Sequence, residues 1–176
     1  TLPTVVNDPA RLDDTRGNEE HAQALARVAL TAAMLLICLG FRYFSSASSR
    51  ATLFTSVAVG AYLLFGIAWL VLVKRHPGPS VSRRGIVMVG DLTITSFGVY
   101  MMGELGASFY PLYLWITVGN GMRYGPPYLY AATGTAVFAL SVVLIASDYW
   151  HDKMAMGLSL LVGLFVLPLF YLHMIH

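Results

Sequence analysis

The chain has 176 residues, of which 57% are hydrophobic and 11% charged, with a mean hydropathy of +0.66. That is too apolar for a domain that must cover itself with water-compatible side chains, so a soluble globular protein is excluded and lipid is the natural solvent. A net charge of +2 with no run of Lys and Arg interleaved with aromatics sets nucleic-acid binding aside.

Residues 1–23 read as a polar juxtamembrane segment, with Pro3, Asp8, Pro9, Arg11, Asp13, Asp14, Arg16 and Glu19. Such a segment cannot be the apolar core of a cleaved signal peptide, so the first apolar run reads as a retained helix. Residues 24–176 then form the transmembrane domain. Apolar runs of about 17 residues or more predict membrane helices, and six are expected, near 24–44, 52–73, 85–102, 109–123, 127–147 and 154–174. The fold class is therefore an all-α, polytopic transmembrane helical bundle. The fourth span is the shortest and ends in Gly119-Asn120-Gly121-Met122-Arg123, which leaves it open to being a re-entrant half-helix.

Orientation follows the basic loops, which stay cytoplasmic. The second loop carries Lys74, Arg75, Arg83 and Arg84 around Pro77, Gly78 and Pro79. Placing it inside puts both ends of a six-span chain inside; a five-span chain with an external N-terminus would strand that loop outside. Tyr149 and Trp150, and Tyr124, Tyr128 and Tyr130, read as interfacial anchors. Gly60 with Gly66, and Gly157 with Gly163, suit close helix packing in lipid. The single Cys38, inside the first span, precludes a disulfide framework and reads as a packing residue.

Within the spans, Asp91 is the most informative residue, because a carboxylate that deep in lipid needs a cation or donors. Arg123, at the end of the fourth span on the same side, is its expected partner. A register-fixing ion pair and a ligand or switch role stand about level for Asp91. The Gly-Asn-Gly-Met-Arg segment, with Asn120 and Arg123, offers either a polar pocket floor or simply a helix end before the Pro126-Pro127 turn. Pro168 removes a backbone donor from the last span and can serve as a hinge or merely pack. Motifs for an acyl-transfer serine, a zinc hydrolase, a P-loop or a Rossmann fold do not occur, so the stretch reads as no enzyme, with no cofactor. His173 and His176 share a helix face but lack partner ligands, so no metal site is expected.

The block Trp115-Ile116-Thr117-Val118-Gly119-Asn120-Gly121-Met122-Arg123-Tyr124-Gly125, with Glu20-His21-Ala22-Gln23, Gly40-Phe41-Arg42-Tyr43 and Tyr149-Trp150, resembles the membrane input domain of the RpfC-type sensor kinases. The resemblance runs from about Arg16 to Tyr171. It implies a receptor for the diffusible signal factor, a cis-2-unsaturated fatty acid of bacterial quorum sensing, within a hybrid histidine kinase of a two-component phosphorelay. Homodimerisation, and a cytoplasmic kinase with receiver and phosphotransfer modules beyond His176, are implied as well. The family's signal-binding segment before the first span maps by the E-H-A-Q match to Arg16, Asn18, Glu19, Glu20 and His21. The family places that segment in the periplasm, whereas the charge distribution here places it in the cytoplasm.

A fatty acid also needs a cation for its carboxylate and an apolar path for its tail. Arg42 or Arg123 can supply the first, and Leu160, Leu161 and Leu164 the second. Related input domains detect α-hydroxyketones, which is one alternative. A small transporter, suggested by Asp91, Arg123 and the broken-looking fourth span, is the other.

Overall fold

A computed structural model describes residues 9–44, 49–75 and 80–175, with side chains for 21–44, 50–75 and 80–171. The described residues form seven α-helices: α1 (Pro9–Phe44), α2 (Ser49–Arg75), α3 (Val81–Met102), α4 (Tyr110–Tyr124), α5 (Pro126–Ala146), the short α6 (Asp148–Asp152) and α7 (Met154–Ile175). A 3-10 turn, Leu105–Phe109, precedes α4. The all-helical, polytopic architecture expected from composition is present.

Among the described residues, five helices are long and apolar enough to cross a membrane: His21–Phe44, Arg50–Arg75, Val81–Met102, Pro126–Ala146 and Met154–Tyr171. The expected fourth span falls short of that measure. With 15 residues, α4 is about 22 Å long at 1.5 Å per residue, against a hydrocarbon core of about 30 Å. It nevertheless runs through the bundle from end to end. Phe109, just before its start, packs on Gly98 near the end of α3, and Tyr124, at its finish, meets Gln23 of α1 and Arg84 of α3.

Local chemistry sets the helix boundaries. Ser80, in extended conformation, caps α3 by accepting from the Arg83 amide at 3.4 Å. Gly103 (φ +55°) and Gly125 (φ +87°) then end α3 and α4 in a backbone conformation that side chains disfavour. Pro126 and Pro127 open α5, where a missing amide donor costs nothing. Gly119 to Arg123 are regular helix, with the Gly125 amide bonding back to the Gly121 carbonyl at 2.9 Å, so the Gly-Asn-Gly-Met-Arg block is a helix end before a Pro-Pro turn. Several hydroxyls within the helices are satisfied by their own backbone: Thr55, Ser56, Thr95, Ser96 and Thr117 each donate to the carbonyl four residues earlier.

Packing divides the bundle in two. The α1–α2 hairpin is close along its length, while the backbone of α1 scarcely approaches α3 or α4. The helices from α3 to α7 form the other body, joined to the hairpin through α2 and α3. That body is closely packed around the end of α3. There a Cβ on Gly106 would stand 2.6 Å from the Val99 carbonyl oxygen and 2.7 Å from its Cα, so only glycine lets the 3-10 turn lie on α3. Trp150 is fully buried in this plug and donates its indole N–H to the Val99 carbonyl at 3.0 Å. Trp150 is thus a core residue rather than an interfacial anchor, because burying the indole requires an internal acceptor and Val99 provides one. Of the glycines expected at helix contacts, Gly157 lies against Leu144 and Gly163 against the Tyr110 hydroxyl, whereas Gly60 faces open space. Cys38 is fully buried in the core, as a packing residue should be.

Candidate functional site

The buried charges meet where the hairpin joins the body. Arg27, 6% exposed, enters from α1, and Asp91 from α3. The Arg27 Nε donates to both carboxylate oxygens of Asp91, at 2.7 Å to Oδ1 and 3.0 Å to Oδ2. Tyr62 of α2 donates its hydroxyl to the same Oδ1 at 2.7 Å. Gly90 makes that reach possible, since a Cβ there would stand 2.9 Å from the Tyr62 hydroxyl. Three helices are therefore tied by one carboxylate. Its charge is compensated by the guanidinium and the phenol, which is what lets it persist in an apolar surrounding.

This geometry overturns the expected Asp91–Arg123 pair. Arg123 lies half-buried at the end of α4, beside Gly119, whereas the partners of Asp91 are on α1 and α2. Arg27, like Asp91, stands within an apolar helix, where a charge needs a counter-charge.

A cavity of about 40 Å³ adjoins the cluster, lined by Arg27, Thr31, Tyr62, Asp91 and Thr95 and by the α4 residues Leu112, Trp115 and Ile116. That is room for a few waters or one carboxylate-sized group and not for an alkyl chain. Arg27 also lines a smaller cavity, about 10 Å³, that reaches Gln23, Arg83 and Arg84 at the basic end of the bundle. At that end the Arg84 guanidinium lies over the Tyr124 ring, 4.2 Å from its centroid, and Tyr124 donates to the Gln23 side-chain oxygen. On the lipid-facing side a groove of about 500 Å³ runs between α3 and α5, walled by Phe97, Tyr100, Phe138 and Val142. It has no charged lining residue and so offers an acid no counter-ion.

The cluster is linked onward to the last helix. One turn above Asp91, the Ser96 and Tyr113 hydroxyls share a hydrogen bond at 2.6 Å, tying α3 to α4. The Tyr110 hydroxyl then donates to the Leu160 carbonyl of α7 at 3.0 Å. Thus α4 stands between the cavity and α7.

The remaining expected site residues are dispersed. The side chains of Arg16, Glu19 and Glu20 lie outside the described residues, as does that of His173; His176 is undescribed altogether. His21 is partly buried, with its Nδ1 buried and without a hydrogen-bond partner among the described residues. Arg42 is exposed near the far end of α1. Asn120 is buried in α4, donating to the Ile116 carbonyl at 2.7 Å while its Oδ1 has no hydrogen-bond partner among the described residues. Leu164 is a core residue, and Leu160 and Leu161 pack against that core. Pro168 is buried inside α7, which continues through it. The described residues contain no group of three His, Cys, Asp or Glu that could hold a metal ion.

Comparison with known proteins bears on the whole of this arrangement. Over 156 residues, 89% of its length, the chain is 33% identical to the sensory/regulatory protein RpfC from each of two strains of Xanthomonas campestris pv. campestris. Over that stretch the chain is similar to RpfC-type proteins. It spans about a fifth of the RpfC proteins it matches, 21% of their length. No family model matches the chain, and no solved structure matches it. At 156 residues the similarity is too long to rest on one motif.

Proposed function

We propose that this bundle is the sensory input region of a bacterial two-component histidine kinase. It recognises a cis-2-unsaturated fatty acid signal of the quorum-sensing type in the inner membrane. The observation that carries this reading is the 33% identity to a sensory/regulatory protein across 89% of the chain, together with five membrane-length helices. The architecture supports it, because a receptor of this kind needs only two helix arrangements with different ligand affinity. Binding at the hairpin–body junction shifts α4, and α4 passes the shift to α7, whose buried Pro168 weakens the backbone ladder where a hinge is needed. The end holding Arg83 and Arg84 faces the cytoplasm, where the kinase, receiver and phosphotransfer modules of a homodimer receive the change.

Autophosphorylation of the full-length protein in lipid nanodiscs tests the reading. A cis-2-unsaturated fatty acid should change the rate several-fold, and its saturated counterpart should act far less. An unchanged rate with the acid, or a response to an α-hydroxyketone in its place, would refute the fatty-acid assignment.

A further inference from the structure

The reading above leaves open where the signal's head group is recognised. Accepting that reading, we propose that Arg27 is the carboxylate receptor and that Asp91 is an internal competitor for it, displaced when an amphiphilic acid binds. Three observations converge on this pair. Arg27 is buried and Asp91 largely so among apolar helices, where a charged pair carries a heavy desolvation cost and so marks a functional candidate. The cavity beside them has the size of a carboxylate and not of a tail. The apolar side of that cavity is formed by Leu30 and Met34 of α1 and by Leu112 and Trp115 of α4. Those two helices scarcely approach each other through their backbones. A head group seated at Arg27 can therefore leave its tail between α1 and α4, toward lipid.

The exchange conserves charge. A fatty acid dissolved in the bilayer arrives as the neutral acid, gives its proton to Asp91, and takes the place of Asp91 at the guanidinium as a carboxylate. Before and after, the site holds one cation and one anion. The neutral Asp91 retains Tyr62 as its hydrogen-bond partner, and α3 is released from α1. Among the residues lining the cavity, Asp91 carries the one carboxylate, so it is the proton acceptor at hand there.

Equilibrium binding of tritiated cis-2-decenoic acid and of the matching alcohol, cis-2-decenol, to the full-length protein in nanodiscs decides the matter. Arg27→Gln should weaken the acid about tenfold or more, the worth of one charge-assisted hydrogen bond, and leave the alcohol little changed. Asp91→Asn removes the competitor and should tighten the acid by a comparable factor. The neutral double variant R27Q/D91N leaves no buried charge unpaired, so it serves where the single change fails to fold, and it should bind the acid as weakly as R27Q. Acid binding by the wild type that persists in R27Q or in the double variant overturns the site and leaves the sensory reading standing. Weaker acid binding in D91N likewise makes the pair a structural tie and overturns the exchange. A wild type that binds no acid overturns both.

Discussion

The two junctions of α3 are built on opposite principles. At its far end α3 meets the 3-10 turn, α6 and α5 in a dry plug: Gly98 under Phe109, Gly106 on the Val99 backbone, and Trp150 buried with its indole bonded to a carbonyl. Nearer its start α3 meets α1 and α2 through side-chain charge, with a cavity beside the contact. Close-packed glycine and aromatic contacts admit one geometry, because neither side can yield without a clash or a void. A charge pair holding apart two backbones has an alternative, since either partner accepts another counter-ion. The plug fixes the frame and the charged junction can change.

Substitutions separate the two kinds of contact. The largest loss is expected from Arg27→Met or Asp91→Leu alone, about 3–5 kcal/mol, because each strands a buried charge. The double replacement should recover most of that loss, and thermal unfolding in detergent across the four-member cycle would show it; additive losses would mean that the residues do not form a unit. Gly106→Ala should cost about 1–3 kcal/mol, since its Cβ meets only backbone. In contrast to the charged pair, no single change at a facing side chain should rescue it. Trp150→Phe keeps most of the ring but abandons the Val99 carbonyl, for an expected cost of about 1–3 kcal/mol. Tyr62→Phe should be the mildest, about 1 kcal/mol, because Asp91 keeps its guanidinium. A Tyr62→Phe loss as large as that of Arg27→Met would move the weight of the junction from charge to the phenol.

The helices were legible because lipid imposes a length and a composition that can be counted along the chain. The shortness of α4 was visible too, in the weak apolar run from Phe109 to the glycines. What could not be read was pairing across helices. Asp91 announced that it needed a partner, but helix order alone does not say which helix face lies opposite, and Arg123 was as admissible as Arg27. Gly90, which admits Tyr62, and Gly106, which admits Val99, look in sequence like any membrane glycine. Trp150 looked like an anchor because its position next to a loop suits one; only the three-dimensional return of α6 over α3 places it inside.

The proposed signalling mechanism requires the α1–α2 hairpin and α4 to move against a frame fixed at α3 and α5 when the signal binds. Paired spin labels test it most directly, in a Cys38→Ala background in nanodiscs, with one pair at exposed Leu36 of α1 and Phe138 of α5 and a second at exposed Val89 of α3 and Phe138. On addition of cis-2-decenoic acid, the α1–α5 distance distribution should shift while the α3–α5 distribution stays fixed. Two unchanged distributions, or an equal shift in both, would contradict the account.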